Sequence, residues 1–167
     1  MKTTKQFSIM MTIVLLSFSI NSCHQQKALA VKYADHTITL EVDTDNITRQ
    51  NLDSTCKFLP YTGTSNKEYT TKVTFDDTIT WEGRSLNGRD SVEIKKIKYK
   101  GGPKLLTVDV NRNQSDSPKV HGKVRDSTDV FHPDTEILIE EYLITFKING
   151  KLFRYKIDPK IQVNRNR

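Results

Sequence analysis

The sequence predicts an all-β domain, an antiparallel β-sandwich of immunoglobulin-like type with about seven to nine short strands. Three observations predict it. Apolar and polar residues alternate with period two through most of the chain after Thr37. Clusters of Gly, Asn, Asp, Ser and Pro punctuate that alternation at roughly 8–12-residue intervals. Stretches with helical spacing are almost absent: residues 45–58, "DNITRQNLDSTCKF", place Ile47 and Leu52 suitably but are crowded with Asn, Asp and Thr, so they read as loop with at most one helical turn.

Taken in order, "TITLEVD" puts Ile38, Leu40 and Val42 on one face. "YTTKVTF" gathers Tyr69, Val73 and Phe75, a turn at Asp76–Asp77 follows, and "TITWEG" turns Ile79 and Trp81 inward. Those two segments read as a hairpin. "LLTVDV" offers Leu106, Val108 and Val110, and "KVHGKV" offers Val120 and Val124 around Gly122. "YLITFKI" offers Tyr142, Ile144, Phe146 and Ile148, and Asn149–Gly150 is the pair that a type I′ turn favours, because both residues tolerate positive φ. It leads into "KLFRYKI", with Phe153, Tyr155 and Ile157 in phase. Asp158–Pro159 then breaks the strand, and "IQV" is expected as an edge or bent piece, since proline has no N–H to donate. Two segments change phase: Val92 and Ile94 against Ile97 and Tyr99, and Ile137 and Ile139 against Tyr142 and Ile144. Each slip is either a β-bulge or the end of one strand and the start of the next.

The first residues belong to a different regime. Lys2 and Lys5 precede a 14-residue run from Phe7 to Ile20 interrupted only by Ser8, Thr12, Ser17 and Ser19. A membrane-crossing helix needs about 20 apolar residues, and a core helix would need a polar face that Ile9–Leu16 lacks. A basic start, a short apolar core and small residues at its end describe a secretory signal. Its end, Ile20-Asn21-Ser22-Cys23, resembles the lipobox of bacterial lipoproteins: aliphatic at −3, small at −1, then cysteine. The resemblance covers residues 1–23. It implies cleavage between Ser22 and Cys23, a diacylglycerol thioether on the Cys23 thiol and an acyl group on the new amino terminus, with no other cofactor. Multiple acyl chains on one residue give lasting attachment where a single chain does not. The β-rich body following "S-C" is similar in style to the many uncharacterised small lipoproteins of Bacteroidetes-type bacteria. His24, not Asp, follows the cysteine, which points towards the outer membrane. The domain plan is then a signal peptide at 1–22, a lipidated tether at 23–36 and a β-sandwich at 37–167.

Loss of Lys2 and Lys5 with the signal lowers the formal charge from +6 to +4, which is mildly basic and argues against nucleic acid as a partner. All three methionines lie at positions 1, 10 and 11 and leave with it. With Cys23 acylated, Cys56 has no partner in the chain, so the domain has no disulfide framework and Cys56 is expected to be a small buried apolar residue.

Chemical motifs are few. "LPYTG" at 59–63 matches a wall-sorting pattern but lies about a hundred residues from the C-terminus, so its Pro and Gly read as loop formers. "HPD" at 132–134 precedes a β-like run rather than joining helices. His24, His36, His121 and His132 show no metal-ligand spacing, although a sandwich could bring His121 and His132 near Asp126, Asp129 or Asp134. Glu140 and Glu141, adjacent on a strand, face opposite ways and make a poor acid–base pair. No catalytic residue and no metal site emerges. What remains is "KKIKYKGGPK", where Lys95, Lys96, Lys98, Lys100 and Lys104 surround Ile97 and Tyr99. Alternation puts Lys96, Lys98 and Lys100 on one outward face. Such a row either protects an edge strand from aggregation or meets an anionic partner: lipid headgroups, an acidic glycan or an acidic envelope protein. The leading expectation is a lipid-anchored, non-enzymatic binding or envelope-assembly module. A protective inhibitor or immunity lipoprotein is the alternative, and a metal- or thiol-dependent enzyme ranks third.

Overall fold

A computed structural model describes residues 33–109, 119–127 and 136–164. Residues 1–32, with the signal, Cys23, His24 and the beginning of the tether, lie outside the described part, as do Val110, Asp129, His132 and Asp134. The described residues belong to one compact unit, Lys32–Arg167.

The domain is mostly β, and its described residues form ten strands and one helical turn: β1 Asp35–Val42, α1 Leu52–Thr55, β2 Cys56–Leu59, β3 Thr70–Val73, β4 Thr78–Ser85, β5 Val92–Gly101, β6 Leu106–Asp109, β7 Val120–Val124, β8 Ile137–Ile148, β9 Arg154–Ile157 and β10 Lys160–Asn164. The first sheet has the order β2-β1-β4-β7-β6, and the second β3-β10-β8-β5 with β9 also on β8. Both sheets are mixed. β1 runs parallel to β4 over eight residues, and β10 runs parallel to β3. The expectation of a purely antiparallel, immunoglobulin-like sandwich is therefore corrected. The cause is the route of the chain: β1 returns on itself through β2, then β3 joins the other sheet, so β4 arrives beside β1 by a crossover rather than a hairpin.

The predicted β3–β4 hairpin falls for the same reason, since the two strands lie in different sheets. The Asp76–Asp77 turn carries the chain between sheets. Asp76 adopts φ +66°, and the Asp77 carboxylate accepts from Ala34 N at 2.8 Å, Thr74 N at 2.8 Å and His36 Nε2 at 2.8 Å.

Both sheets contribute to one core, which contains Ile38, Leu40, Val42, Ile79, Trp81, Ile144, Phe146 and Ile148, as the alternation predicts. Trp81 of β4 meets Tyr142 of β8 edge to face, and the indole N–H donates to the phenol oxygen at 3.2 Å. Gly122 lies against that indole: a Cβ there would sit 2.9 Å from Trp81. β2, read from sequence as loop, buries Cys56 and Phe58, and burial pushes the Cys56 thiol up to about 12, the inert buried thiol expected.

Four local expectations meet different outcomes. The slip in β5 is a β-bulge between Ile94 and Lys96, but only Ile97 of the second pair turns inward: Tyr99 is 44% exposed, and the register shifts again between Tyr99 and Gly101. The expected slip in β8 does not occur: Leu138, Glu140, Tyr142 and Ile144 point inward in unbroken alternation, and Ile137 and Ile139 are exposed. The Asn149–Gly150 connection is not type I′. Gly150 alone has positive φ, at +71°, because Asn149 is held by Ser91 through Asn149 N to Ser91 O at 3.1 Å and Ser91 N to Asn149 Oδ1 at 2.6 Å. The strands then pair as Phe146↔Tyr155 and Lys147↔Arg154, which lengthens the loop and leaves Phe153 exposed. Pro159 breaks the strand but not its register, since β9 and β10 continue one alignment along β8. Tyr142 N donates to Pro159 O at 3.1 Å; only the return bond is lost. β10 is not an edge strand, because β3 covers its far side.

Candidate anion-binding face

β5 forms one edge of the second sheet, and its bulge sorts the lysines that sequence grouped together. Inward, Val92, Ile94 and Ile97 are buried. Lys95, the extra residue of the bulge, is exposed and paired with Glu93. Lys96 and Lys98 project outward opposite Thr145 and Leu143 of β8. Lys100 is engaged by Asp158 and, at 3.5 Å, by Glu141; these contacts raise its pKa, the Asp158 hydrogen bond most. Lys104 lies in the loop after β5 and lines a cleft of about 310 Å³ with Arg125 and Glu140. The structure thus keeps Lys96 and Lys98 on the proposed face, pairs Lys95 and Lys100 locally, and sets Lys104 beyond the end of β5, in a cleft that Lys98 also lines.

The face gains residues that sequence did not assign to it. Lys96, Thr145 and Lys156 form one row across β5, β8 and β9, and Glu93, Lys147 and Arg154 form another. Adjacent strands lie about 4.8 Å apart, so Lys96 and Lys156 flank Thr145 roughly 10 Å from each other. Lys96, Lys98, Lys147, Arg154 and Lys156 are all exposed, and none has an ion-pair partner among the described residues. Their spacing is comparable to the screening length at physiological salt, about 8 Å, so they present one positive field rather than five separate charges. The parity of "YLITFKI" and "RYKI" already turned Lys147 and Lys156 outward; what sequence lacked was that β8 lies between β5 and β9.

The inner side of β8 carries a residue that sequence offered only as half of a poor acid–base pair, without showing that it turns inward. Glu140, 1% exposed, accepts from Leu105 N at 2.5 Å and Leu106 N at 2.8 Å, both on one carboxylate oxygen. Burial raises its pKa above the ordinary value, and the two N–H donors oppose that rise. These bonds tie the start of β6, in the first sheet, to β8, in the second. Glu141 faces solvent, as strand geometry requires. His121 is exposed and its Nδ1 lies 3.0 Å from Thr80 Oγ1; His36 is taken by Asp77.

No family model matches the chain, and no curated protein matches it in sequence. Among solved structures, it is similar to an inclusion body protein (PixA) of Burkholderia cenocepacia J2315, with 14% identity over 81% of this chain and 97% of that one, at a TM-score of 0.48. A likeness at that level carries no functional argument.

Proposed function

We propose that this chain is a lipid-anchored, non-enzymatic binding domain of the bacterial cell envelope, held at Cys23 and engaging an anionic partner through the outer face of its second sheet. The observation that carries the binding half is the set of five exposed cations on β5, β8 and β9 that have no ion-pair partner among the described residues. A merely solubilising surface intersperses both signs; here the acids near the face, Glu93, Glu141 and Asp158, are already engaged by Lys95 and Lys100. The anchoring half is supported by the Ile20–Cys23 lipobox and the basic, short-cored segment before it. The outer membrane is the proposed location because His24 stands where Asp would favour retention in the inner one.

Detergent phase partitioning of the wild type beside Cys23→Ser, with intact mass, tests the anchor. The expected result is wild type in the detergent phase at the mass of residues 23–167 plus acyl groups, with the variant aqueous. Both forms aqueous at the mass of a conventionally cleaved chain would end the anchoring half. Heparin and phosphatidylglycerol vesicles, offered side by side to the wild type and to Lys96→Glu/Lys98→Glu/Lys156→Glu, then separate an acidic glycan from lipid headgroups as the partner.

A further inference from the structure

One end of the domain gathers the loops that follow β1 and β4 and precede β5, together with the β8–β9 connection. They are fastened to one another: Asn87 Nδ2 donates to Asp45 Oδ1 at 3.0 Å, Arg89 lies 3.8 Å from Asp45, and Ser91 and Asn149 exchange two hydrogen bonds. On this end Leu86 is 63%, Leu152 92% and Phe153 51% exposed. Phe153 is held in place by the Arg49 guanidinium, 4.2 Å above its ring. From Tyr142 to Ile157 the chain has no acidic residue and four cations, Lys147, Lys151, Arg154 and Lys156. The acids of the neighbouring loops remain charged, Asp43 and Asp90 against the amides of Asn46 and Asn87 and Asp45 against Asn87 and Arg89; the cations Arg49, Lys147, Lys151, Arg154 and Lys156 outnumber them.

From this arrangement we infer that the β8–β9 tip docks into an anionic lipid bilayer, with Leu152 and Phe153 entering the interface and Arg49, Lys151 and Arg154 meeting headgroup phosphates. Two side chains offer roughly 400 Å² at most, about half of what one partner contributes to a standard protein interface. A narrow apolar tip flanked by long cationic side chains suits a bilayer, where the stems of Lys and Arg follow apolar surface and their heads stay with the phosphates. Attraction to anionic lipid adds about 1 kcal/mol per cation near the surface. The row Lys147–Arg154 joins the tip to the basic sheet face, so tip and face can contact one surface.

The contact is also compatible with an anchor at Cys23. β1 enters the fold at the opposite end, and its eight residues span about 25 Å. Residues 23–34 reach about 40 Å when extended, enough for both ends to touch the same membrane with the domain lying along it. The inference does not depend on acylation.

The test uses residues 23–167 with Cys23→Ser, which contain the whole compact unit without leader or lipid. Flotation with phosphatidylglycerol/phosphatidylcholine vesicles is compared with pure phosphatidylcholine. The expected result is binding to the anionic vesicles only, weakened at least about tenfold by Leu152→Ser/Phe153→Ser. A polarity-sensitive fluorophore on Leu152→Cys is expected to shift to the blue on those vesicles; the buried Cys56 thiol escapes the label. The proposal is overturned if Leu152→Ser/Phe153→Ser binds as the parent does, if the fluorophore does not shift, or if pure phosphatidylcholine binds equally well. Lys96→Glu/Lys98→Glu/Lys156→Glu separates the two readings: its loss of heparin retention with the Leu152 blue shift preserved leaves both standing, and unchanged retention overturns the sheet-face reading alone.

Discussion

The two faces of the second sheet treat charge in opposite ways. Inside, β8 buries a single carboxylate, Glu140, and gives it two backbone N–H donors from the first sheet. Outside, β5, β8 and β9 expose Lys96, Lys98, Lys147, Arg154 and Lys156, which have no anionic partner among the described residues. A buried charge survives only if its neighbours satisfy it, so Glu140 is part of how the sheets are joined. Exposed cations need no partner for folding, so the outer face is free to serve a ligand. Inner substitutions should therefore move stability and leave binding alone, and outer ones the reverse.

The largest effect is expected from Glu140→Ala. It leaves Leu105 N–H and Leu106 N–H buried without acceptors, at about 1–3 kcal/mol each, and urea denaturation should show a loss of roughly 3 kcal/mol. Tyr142→Phe removes the acceptor of the Trp81 indole N–H and should lower stability by about 1–2 kcal/mol, read by the same titration.

Glu140→Gln keeps an acceptor and removes the charge, which exposes a pH dependence. Burial holds the folded Glu140 carboxyl above its ordinary 4.5. Between that value and the raised one, the folded chain binds more protons than the unfolded chain, so this group's contribution falls as pH rises through the window. Denaturation midpoints across pH should show the wild type losing stability relative to Glu140→Gln from acid towards neutral pH. A constant difference would mean that Glu140 titrates normally. The smallest stability effect belongs to Lys96→Glu/Lys98→Glu/Lys156→Glu, within about 0.5 kcal/mol per site.

Much of the inner face was legible. Ile38, Leu40, Val42, Ile79, Trp81 and the Tyr142–Ile148 series alternate strictly, and burial follows that alternation. The β5 slip was legible as well, because two apolar pairs out of phase within ten residues leave few options, and the bulge is one of them. Glu140 was not. An acidic residue at an inward position looks like a break in the pattern, and only the approach of Leu105 and Leu106, 35 and 34 residues away, makes the position tolerable. Strand partnership was hidden for a related reason. Asp76–Asp77 has the composition of a hairpin turn, yet its carboxylate is claimed by Ala34 and Thr74 N–H groups, and the turn switches sheets. Asn149–Gly150 has the composition of a type I′ turn, yet Ser91 claims the Asn. In both cases a side chain expected to act locally bonds to a distant segment. The basic face was half visible: Lys96 and Lys98 stood out as a run, whereas Lys147, Arg154 and Lys156 join them only through the order β5-β8-β9.

The most direct measurement is retention on heparin in a salt gradient, run for the wild type, Glu140→Gln and Lys96→Glu/Lys98→Glu/Lys156→Glu, with stability measured on the same samples. Wild type and Glu140→Gln should elute together while the triple variant, equally folded, elutes at much lower salt. A triple variant that elutes with the wild type would contradict the assignment of the outer face as the anion-binding surface.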